Sequence, residues 1–157
     1  MTSEYKEYMA RAIQLATNNV DKGGGPFGAV VVKNGEIIAE SANSVTNDND
    51  PTAHAEINAI RKACEQLSTY DLTGCAIFSS CEPCPMCLGA IYWARLDELN
   101  FACNKDDAAS SGFDDAFIYE ELKFNYKQRK LKTDQFMRTD ALQSFQRWDE
   151  FEEKETY

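Results

Sequence analysis

One histidine and two cysteines are spaced in this sequence as ligands of a single metal ion. His54 is the only histidine of the chain, and Pro83 directly precedes Cys84 in the run that ends at Cys87. One imidazole and two thiolates form a ligand set that suits zinc, and three protein ligands leave the fourth tetrahedral position for water. Structural zinc sites close all four positions with protein atoms, so this count predicts a catalytic zinc site with one zinc ion per chain.

Glu56 supplies the carboxylate that a hydrolytic zinc site needs for carrying protons, and it lies two residues beyond His54. Residues two apart in the middle of a helix point about 200° away from each other. His54 and Glu56 can therefore converge only if the pocket lies over the N-terminal end of their helix. The pattern His-x-Glu followed by Pro-Cys-x-x-Cys is the signature of zinc deaminases. It predicts hydrolysis at a heterocycle carbon that bears an amine.

The cysteine pair has a second possible register, because Cys81 forms another Cys-x-x-Cys with Cys84. Cys81 precedes the proline at which a helix is predicted to begin. Cys84 and Cys87 are three residues apart on one helical face, in a first turn whose positive end favours thiolates. We therefore assign Cys84 and Cys87 to the metal and Cys81 to packing.

Size and composition predict one soluble domain over residues 1–157. Hydrophobic residues make up 43% of the chain, which is ordinary for a globular protein. No run approaches the roughly 18 apolar residues of a membrane span. The opening residues MTSEYKEYMA lack the apolar core of a signal peptide. We expect a cytoplasmic protein that does not bind membranes.

The charge of the chain argues against a nucleic-acid partner. Its formal net charge is −10, whereas proteins that bind nucleic acids usually present a basic face to the phosphates. The only notable basic cluster lies between Lys123 and Lys132, and we interpret it as a solvated surface. A small uncharged substrate fits this composition better than a polyanion.

The elements that must position the metal ligands follow from periodicity and turn residues. Asn34-Gly35 predicts a tight hairpin, and Asp50 with Pro51 predicts the start of the helix that carries His54 and Glu56. Alternation of strands and helices predicts an α/β fold, a three-layer α/β/α sandwich around a mixed, mostly parallel five-stranded sheet. Strands are predicted over residues 27–33, 36–42, 75–80, 98–104 and 133–139. Helices are predicted from residue 2 or 3 to about 20, from 50 onwards, from 83 to about 95, over 115–123 and from about 140 to 153.

Longer blocks of sequence carry a family resemblance that spans essentially the whole chain. The first set is similar to the shared core of nucleobase and tRNA-adenosine deaminases, which have the cytidine-deaminase-like fold: Gly25 to Ala29, Asn43, Asp50 to Glu56, and Ser80 to Cys87. The second set resembles the bacterial guanine deaminases: Gly89 to Arg95, Gly112 to Tyr119, and the aromatic last residue Tyr157. The Gly-Phe-Asp-Asp run at 112–115 is the most discriminating part of the resemblance to the bacterial guanine deaminases.

The resemblance implies hydrolysis of guanine to xanthine and ammonia, a reaction of purine metabolism. In addition to catalytic Glu56, it implies that Asp115 is a second proton carrier near the leaving amine. It further implies that Asn43 hydrogen-bonds the purine base and that Phe27 helps to enclose it.

The resemblance also implies a homodimer. Family members form homodimers in which the C-terminal segment, here about residues 140–157, can cross to the partner subunit. Trp93 and Tyr157 would then bind substrate in a pocket shared between the two chains.

Two other functions compete with this reading. The first is a tRNA adenosine deaminase or another nucleobase or nucleoside deaminase, such as a cytosine deaminase. The acidic charge and the run at 112–115 argue against the tRNA enzyme. The second is a binding module that zinc merely stabilises, in which Glu56 beside an open zinc position would have no purpose.

Overall fold

Four strands form one sheet in residues 2–157, the part of the chain that a computed structural model describes. In chain order they are β1 (Gly28–Lys33), β2 (Glu36–Ala42), β3 (Cys75–Cys81) and β4 (Glu98–Cys103). Their spatial order is β2-β1-β3-β4. Strand β1 pairs antiparallel with β2 and β3, and β3 pairs parallel with β4.

This sheet corrects the prediction in two respects. Residues 133–137 form no strand and Arg138 already begins a helix, so the predicted fifth strand was wrong. The side chains of Phe136 and Met137 are 80% and 63% exposed, which leaves that segment without the buried face that stabilises a strand. The sheet is also not mostly parallel as predicted, since only β3 and β4 pair parallel. The hairpin makes β1 and β2 antiparallel, and β1 pairs antiparallel with β3 as well. Asn34 and Gly35 have the positive φ angles, 51° and 82°, of the predicted type I′ turn.

The helices lie close to their predicted positions, with two additions. Thr2 caps the first helix by accepting a hydrogen bond from the backbone N–H of Tyr5. A short helix that was not predicted begins after Asn104, whose side chain caps it. The helices are α1 (Ser3–Val20), α2 (Val45–Asp48), α3 (Ala55–Leu67), α4 (Pro85–Trp93), α5 (Lys105–Ser110), α6 (Ala116–Lys123) and α7 (Arg138–Glu150).

Two apolar clusters pack against the sheet and confirm the three-layer α/β/α arrangement. Alternate residues of a strand point to opposite faces. Val30 of β1 packs with Tyr8 and Ala12 of α1 in one cluster. Val31 packs with Ala59 of α3 in the other cluster. Strand β1 is therefore buried on both faces, and helices α3 and α4 lie on the side opposite α1.

The described chain divides into two compact units, with the boundary between Asp115 and Ala116. The sheet, its covering helices and all the metal-binding candidates belong to the first unit. The second unit contains α6, a short 3₁₀ helix at Tyr126–Gln128, and α7. Within the second unit, the backbone N–H of Lys130 donates to Oε2 of Glu121 at 2.8 Å. No helix in the described residues is both long and apolar enough to cross a membrane.

Candidate active site

The metal-binding candidates lie at the beginnings of two neighbouring helices. His54 is the N-cap residue of α3, and Cys84 is the N-cap residue of α4. Both have extended backbones, with φ and ψ of −68° and 156° at His54 and −62° and 167° at Cys84. Because His54 precedes the first helical residue, helical spacing does not separate its side chain from that of Glu56. The structure shows the predicted arrangement, in which the beginnings of two helices face one cluster of candidate metal ligands.

The start of α3 differs from its prediction. Asp50 closes a turn instead of capping the helix, and its Oδ1 accepts hydrogen bonds from the backbone N–H and the hydroxyl of Thr52, at 2.8 and 2.7 Å. The helix begins at Ala55, four residues after the predicted first position at Pro51. This Asx-type turn competes with helix initiation at Asp50. The displacement places His54 at the helix end, where it can face a metal.

The three candidate ligands have the spacing that tetrahedral zinc requires. Nδ1 of His54 lies 3.5 Å from Sγ of Cys84 and 3.4 Å from Sγ of Cys87. The three ligand atoms all lie within 4.8 Å of one another. Zinc bonds of about 2.3 Å to sulfur and 2.0–2.1 Å to nitrogen, at a tetrahedral angle, place nitrogen and sulfur about 3.6 Å apart. The residues therefore fit one zinc ion with His54, Cys84 and Cys87 as its ligands.

The charges of this cluster also suit a cation. The hydrogen bond from Cys87 and the contact with His54 lower the pKa of the Cys84 thiol to about 4. The pKa of His54 is raised, chiefly by its hydrogen bond with Cys84. The pKa of Cys87 is raised because its proton is held in the hydrogen bond to Cys84 and the group is buried. A coordinated metal removes the protons of both thiols and satisfies the negative charge that results.

Cys81 does not take part in the cluster, as predicted. Its Sγ lies 3.6 Å from the backbone carbonyl oxygen of Asn104, to which the thiol donates. Burial raises the pKa of Cys81 to about 11, so this thiol stays protonated at neutral pH. The structure therefore supports Cys84 and Cys87 as the metal pair.

Glu56 lies beside the cluster and is only 5% exposed. Its Oε1 accepts a hydrogen bond from the hydroxyl of Ser79 at 3.0 Å, and its Oε2 lies 3.5 Å from Sγ of Cys87. Burial raises the pKa of Glu56 above its ordinary value. A carboxyl group with a raised pKa close to a metal-binding position is suited to accept and return protons.

A cavity of about 530 Å³ opens over this cluster. Such a volume falls within the usual range of small-molecule sites. Phe27 and Phe113 form part of its wall, with ring centroids 4.9 Å apart and planes at 86°. Asp115 also lines the cavity, and its pKa is raised by burial and by the negative charge of Cys84. The site thus has an apolar wall for a flat ring and a second carboxyl group.

Asn43 lines the same cavity, and hydrogen bonds to its backbone and side chain hold it in place. Its backbone N–H donates to the carbonyl of Phe27 at 3.0 Å, and its Oδ1 accepts from the N–H of Val45 at 3.3 Å. The side chain of Asn19, itself 8% exposed, donates to the carbonyls of Gly25 and Asn43 at 2.8 and 2.7 Å. Asn19 therefore ties together two loops of the cavity wall.

The structure brings together all but two of the predicted site residues. His54, Glu56, Cys84, Phe27, Asn43 and Asp115 line the cavity, with Cys87 beneath it in the ligand cluster. Among the described residues that line it, Trp93 is absent, and its side chain is 66% exposed. Tyr157 belongs to the second unit.

Sequence reasoning did not identify three further residues of the site. Phe113 could have been identified from the sequence, since it lies in the discriminating run at 112–115. No sequence pattern pointed to Asn19 or Ser79, because their partners are distant in the chain. Asn19 contacts Asn43, 24 residues away, and Ser79 contacts Glu56, 23 residues away.

Comparison with known proteins agrees with this geometry. The family described as the cytidine and deoxycytidylate deaminase zinc-binding region matches residues 2–103. Guanine deaminase of Bacillus subtilis is 51% identical over 154 residues, which cover 98% of this chain and 99% of that protein. An X-ray structure of that enzyme superposes with a TM-score of 0.95 over 100% of this chain and 99% of the other.

More distant relatives share the core only. A tRNA-specific adenosine deaminase of Aquifex aeolicus is 44% identical over 98 residues, which cover 62% of this chain and 65% of that protein. A guanine deaminase structure from Nitrosomonas europaea is 35% identical, with a TM-score of 0.68 over 73% of this chain and 65% of that one. The chain therefore belongs to the cytidine and deoxycytidylate deaminase family and is a zinc-dependent hydrolase.

Proposed function

We propose that the protein hydrolyses guanine to xanthine and ammonia. The observation that carries this proposal is the cavity in which Glu56 and Asp115 accompany the His54, Cys84 and Cys87 cluster, next to the crossed rings of Phe27 and Phe113. The full-length similarity to a guanine deaminase selects guanine among the bases that such a cavity could hold.

The charges at the cavity favour a free base over a phosphate-bearing substrate. Four carboxyl groups line it, and Lys105 is the only lysine or arginine among the described lining residues. The carboxyl groups belong to Glu56, Glu82, Asp114 and Asp115. Phosphate groups would be repelled there, whereas guanine is neutral. This distribution argues against a nucleotide or a tRNA as the substrate.

The proposed mechanism assigns two proton carriers. When bound, zinc lowers the pKa of a coordinated water towards about 7. Glu56 would accept a proton from a water at this position and pass it to the ring nitrogen beside the amine-bearing carbon, while the water oxygen bonds to that carbon. Asp115 would give a proton to the amine as its C–N bond breaks and ammonia leaves. The hydroxyl proton of the new C–OH group would then return to Asp115, which leaves the carbonyl of xanthine.

A panel of substrates tests the proposal directly. The zinc-loaded protein is incubated separately with guanine, cytosine, adenine and a tRNA anticodon stem-loop, and the released ammonia is measured. We expect ammonia and stoichiometric xanthine from guanine, with much slower release from the other three. Ammonia from the stem-loop but not from guanine would overturn the proposal and identify a tRNA deaminase.

We further propose that the active unit is a homodimer in which the segment from about residue 140 to 157 crosses to the partner subunit. Large apolar side chains support this proposal, because Tyr92 and Trp93 of α4 and Phe145 of α7 are 76%, 66% and 66% exposed. Surfaces of this kind usually mark protein interfaces. In the dimer, Trp93 and Tyr157 would line a substrate pocket shared between chains.

Deletion of residues 154–157 is expected to weaken guanine turnover while zinc content and thermal unfolding stay nearly unchanged. The physical reason is that Tyr157 would exclude water from the loaded site without contributing to the core. Steady-state kinetics of the truncated protein measures the effect, and Glu155→Ala serves as a control in the same segment. Unaltered kinetics would mean that the last residues do not cover the site.

Replacement of Asn19 by alanine is expected to raise the KM for guanine about fivefold, with little change in kcat or zinc content. It removes two hydrogen bonds that hold the cavity wall, and a loss of about 1 kcal/mol in base binding corresponds to that factor. Asn100→Ala is the control, since the side chain of Asn100 donates to Oε1 of Glu98 on strand β4 and Asn100 is not among the described residues that line the cavity. Equal KM values for the two variants would contradict a role of Asn19 in the wall.

A further inference from the structure

Ser79 places a hydroxyl group in one of the most buried positions of the sheet. It lies on β3 and is 1% exposed, two residues from the fully buried Ile77 on the same face. An unpaired hydroxyl is costly at such a position. The hydroxyl of Ser79 donates to Oε1 of Glu56 at 3.0 Å, which satisfies it.

This hydrogen bond distinguishes the two oxygens of Glu56. Oε1 accepts from Ser79, whereas Oε2 has only the longer contact from the thiol of Cys87, which would give up its proton on binding a metal. A proton carried by the carboxyl group is therefore placed on Oε2. Oε2 is the oxygen that faces the metal-binding Cys87, at 3.5 Å from its Sγ. Rotation of the carboxyl group would break the contact with Ser79 and turn the proton-bearing oxygen away from the reaction.

We propose that Ser79 is a positioning residue, which holds the Glu56 carboxyl group so that Oε2 carries the proton between water and substrate. The proposal rests on the proposed deaminase function of the site. Ser79 itself does not touch the substrate, because it is buried beneath Glu56 and is absent from the described residues that line the cavity.

The neighbouring Ser80 provides a matched control. It is also buried, at 7% exposed, and lies next to Ser79 on the same strand. Its side chain points to the opposite face of the sheet, where its Oγ accepts a hydrogen bond from the backbone N–H of Gly28 at 3.0 Å. Replacing either serine by alanine removes one buried hydrogen bond, and only Ser79 loses a contact with Glu56.

The Ser79→Ala variant is expected to lose about 10- to 100-fold in kcat with little change in KM, as is usual when an oriented group loses its supporting contact. Zinc content and thermal unfolding should match those of Ser80→Ala, whose kcat should stay within about twofold of the unmodified protein. Ser79→Thr, which keeps the hydroxyl, should recover most of the loss. Equal kcat values for Ser79→Ala and Ser80→Ala would overturn the proposal.

A double-mutant cycle shows whether Ser79 acts through Glu56. Adding Ser79→Ala to a Glu56→Gln protein should cost less than about twofold, because the group that Ser79 positions is already inactive. Single-turnover measurements with excess protein make the slow reaction visible. A full 10-fold loss in the Glu56→Gln background would overturn the proposal, because Ser79 would then act by another route.

A readout apart from activity separates this proposal from the assigned function. In a crystal structure of zinc-loaded Ser79→Ala, the Glu56 carboxyl group should be rotated or distributed over two orientations. An unmoved carboxyl group would count against the positioning role even if guanine is turned over. Failure of the unmodified protein to release ammonia from guanine would overturn the proposed function, and the crystallographic comparison would still decide the role of Ser79.

Discussion

Replacement of Glu56 by glutamine is expected to give a folded, zinc-loaded protein that has lost guanine turnover by about 10⁴-fold. General acid-base groups commonly contribute 10²–10⁴-fold, and Glu56 would act in both proton transfers of the reaction. The amide keeps the size of the carboxyl group and can still accept the hydrogen bond of Ser79. It cannot carry a proton. The kcat for ammonia release measures the loss, together with zinc content and circular dichroism.

The control for this variant is Glu82→Gln. Glu82 also lines the cavity, but its Oε2 accepts a hydrogen bond from the backbone N–H of Lys105 at 3.0 Å, which an amide oxygen can accept as well. We expect its loss in kcat to be about 10-fold or less. Near-normal turnover in a zinc-loaded Glu56→Gln protein would refute the proposed mechanism.

Removal of one metal-binding thiol is expected to empty the zinc site. Cys84→Ala and Cys87→Ala should each retain less than about a tenth of the zinc of the unmodified protein, because only two of three protein ligands remain. Both should also unfold at lower temperature, since a ligand bound to the folded state alone stabilises that state. Metal analysis after gel filtration in metal-free buffer measures the zinc content.

Cys81→Ala is the matched control for the two thiol variants. Its Sγ is directed at the carbonyl oxygen of Asn104, so its removal should leave about one zinc per chain. If Cys81→Ala loses the metal while Cys84→Ala keeps it, the assigned cysteine register is wrong.

The members of the candidate metal cluster could be predicted because each pair of them lies in one short segment. His54 with Glu56, and Cys84 with Cys87, each lie within one helix beginning, where a few backbone angles set the side-chain directions. The hairpin at Asn34 and Gly35 was predictable for the same reason, because that dipeptide favours the required positive φ angles. The prediction that Asp50 caps a helix was wrong, because its side chain accepts a hydrogen bond from the backbone N–H of Thr52 and closes a turn instead.

Predictions that depended on distant partners were less successful. Residues 133–139 have a strand-like composition, but a strand forms only where another strand accepts its hydrogen bonds, and none does so here among the described residues. The sheet is mainly antiparallel because β1 has β3 as its second neighbour and pairs antiparallel with it. No local sequence pattern specifies that β3, rather than another strand, lies beside β1.

The sequence alone indicated the candidate ligands, the candidate proton carrier and the two helix beginnings that present them, because these depend on residue chemistry and short-range backbone preferences. The tertiary structure decided what surrounds that cluster. Packing of β3 against α3 brings the hydroxyl of Ser79 to Glu56, and the loops after α1 and β2 meet through Asn19. The contacts of Ser79 with Glu56 and of Asn19 with Asn43 join residues 23 and 24 positions apart. Their formation depends on the free energy of burying the whole sheet rather than on any short segment.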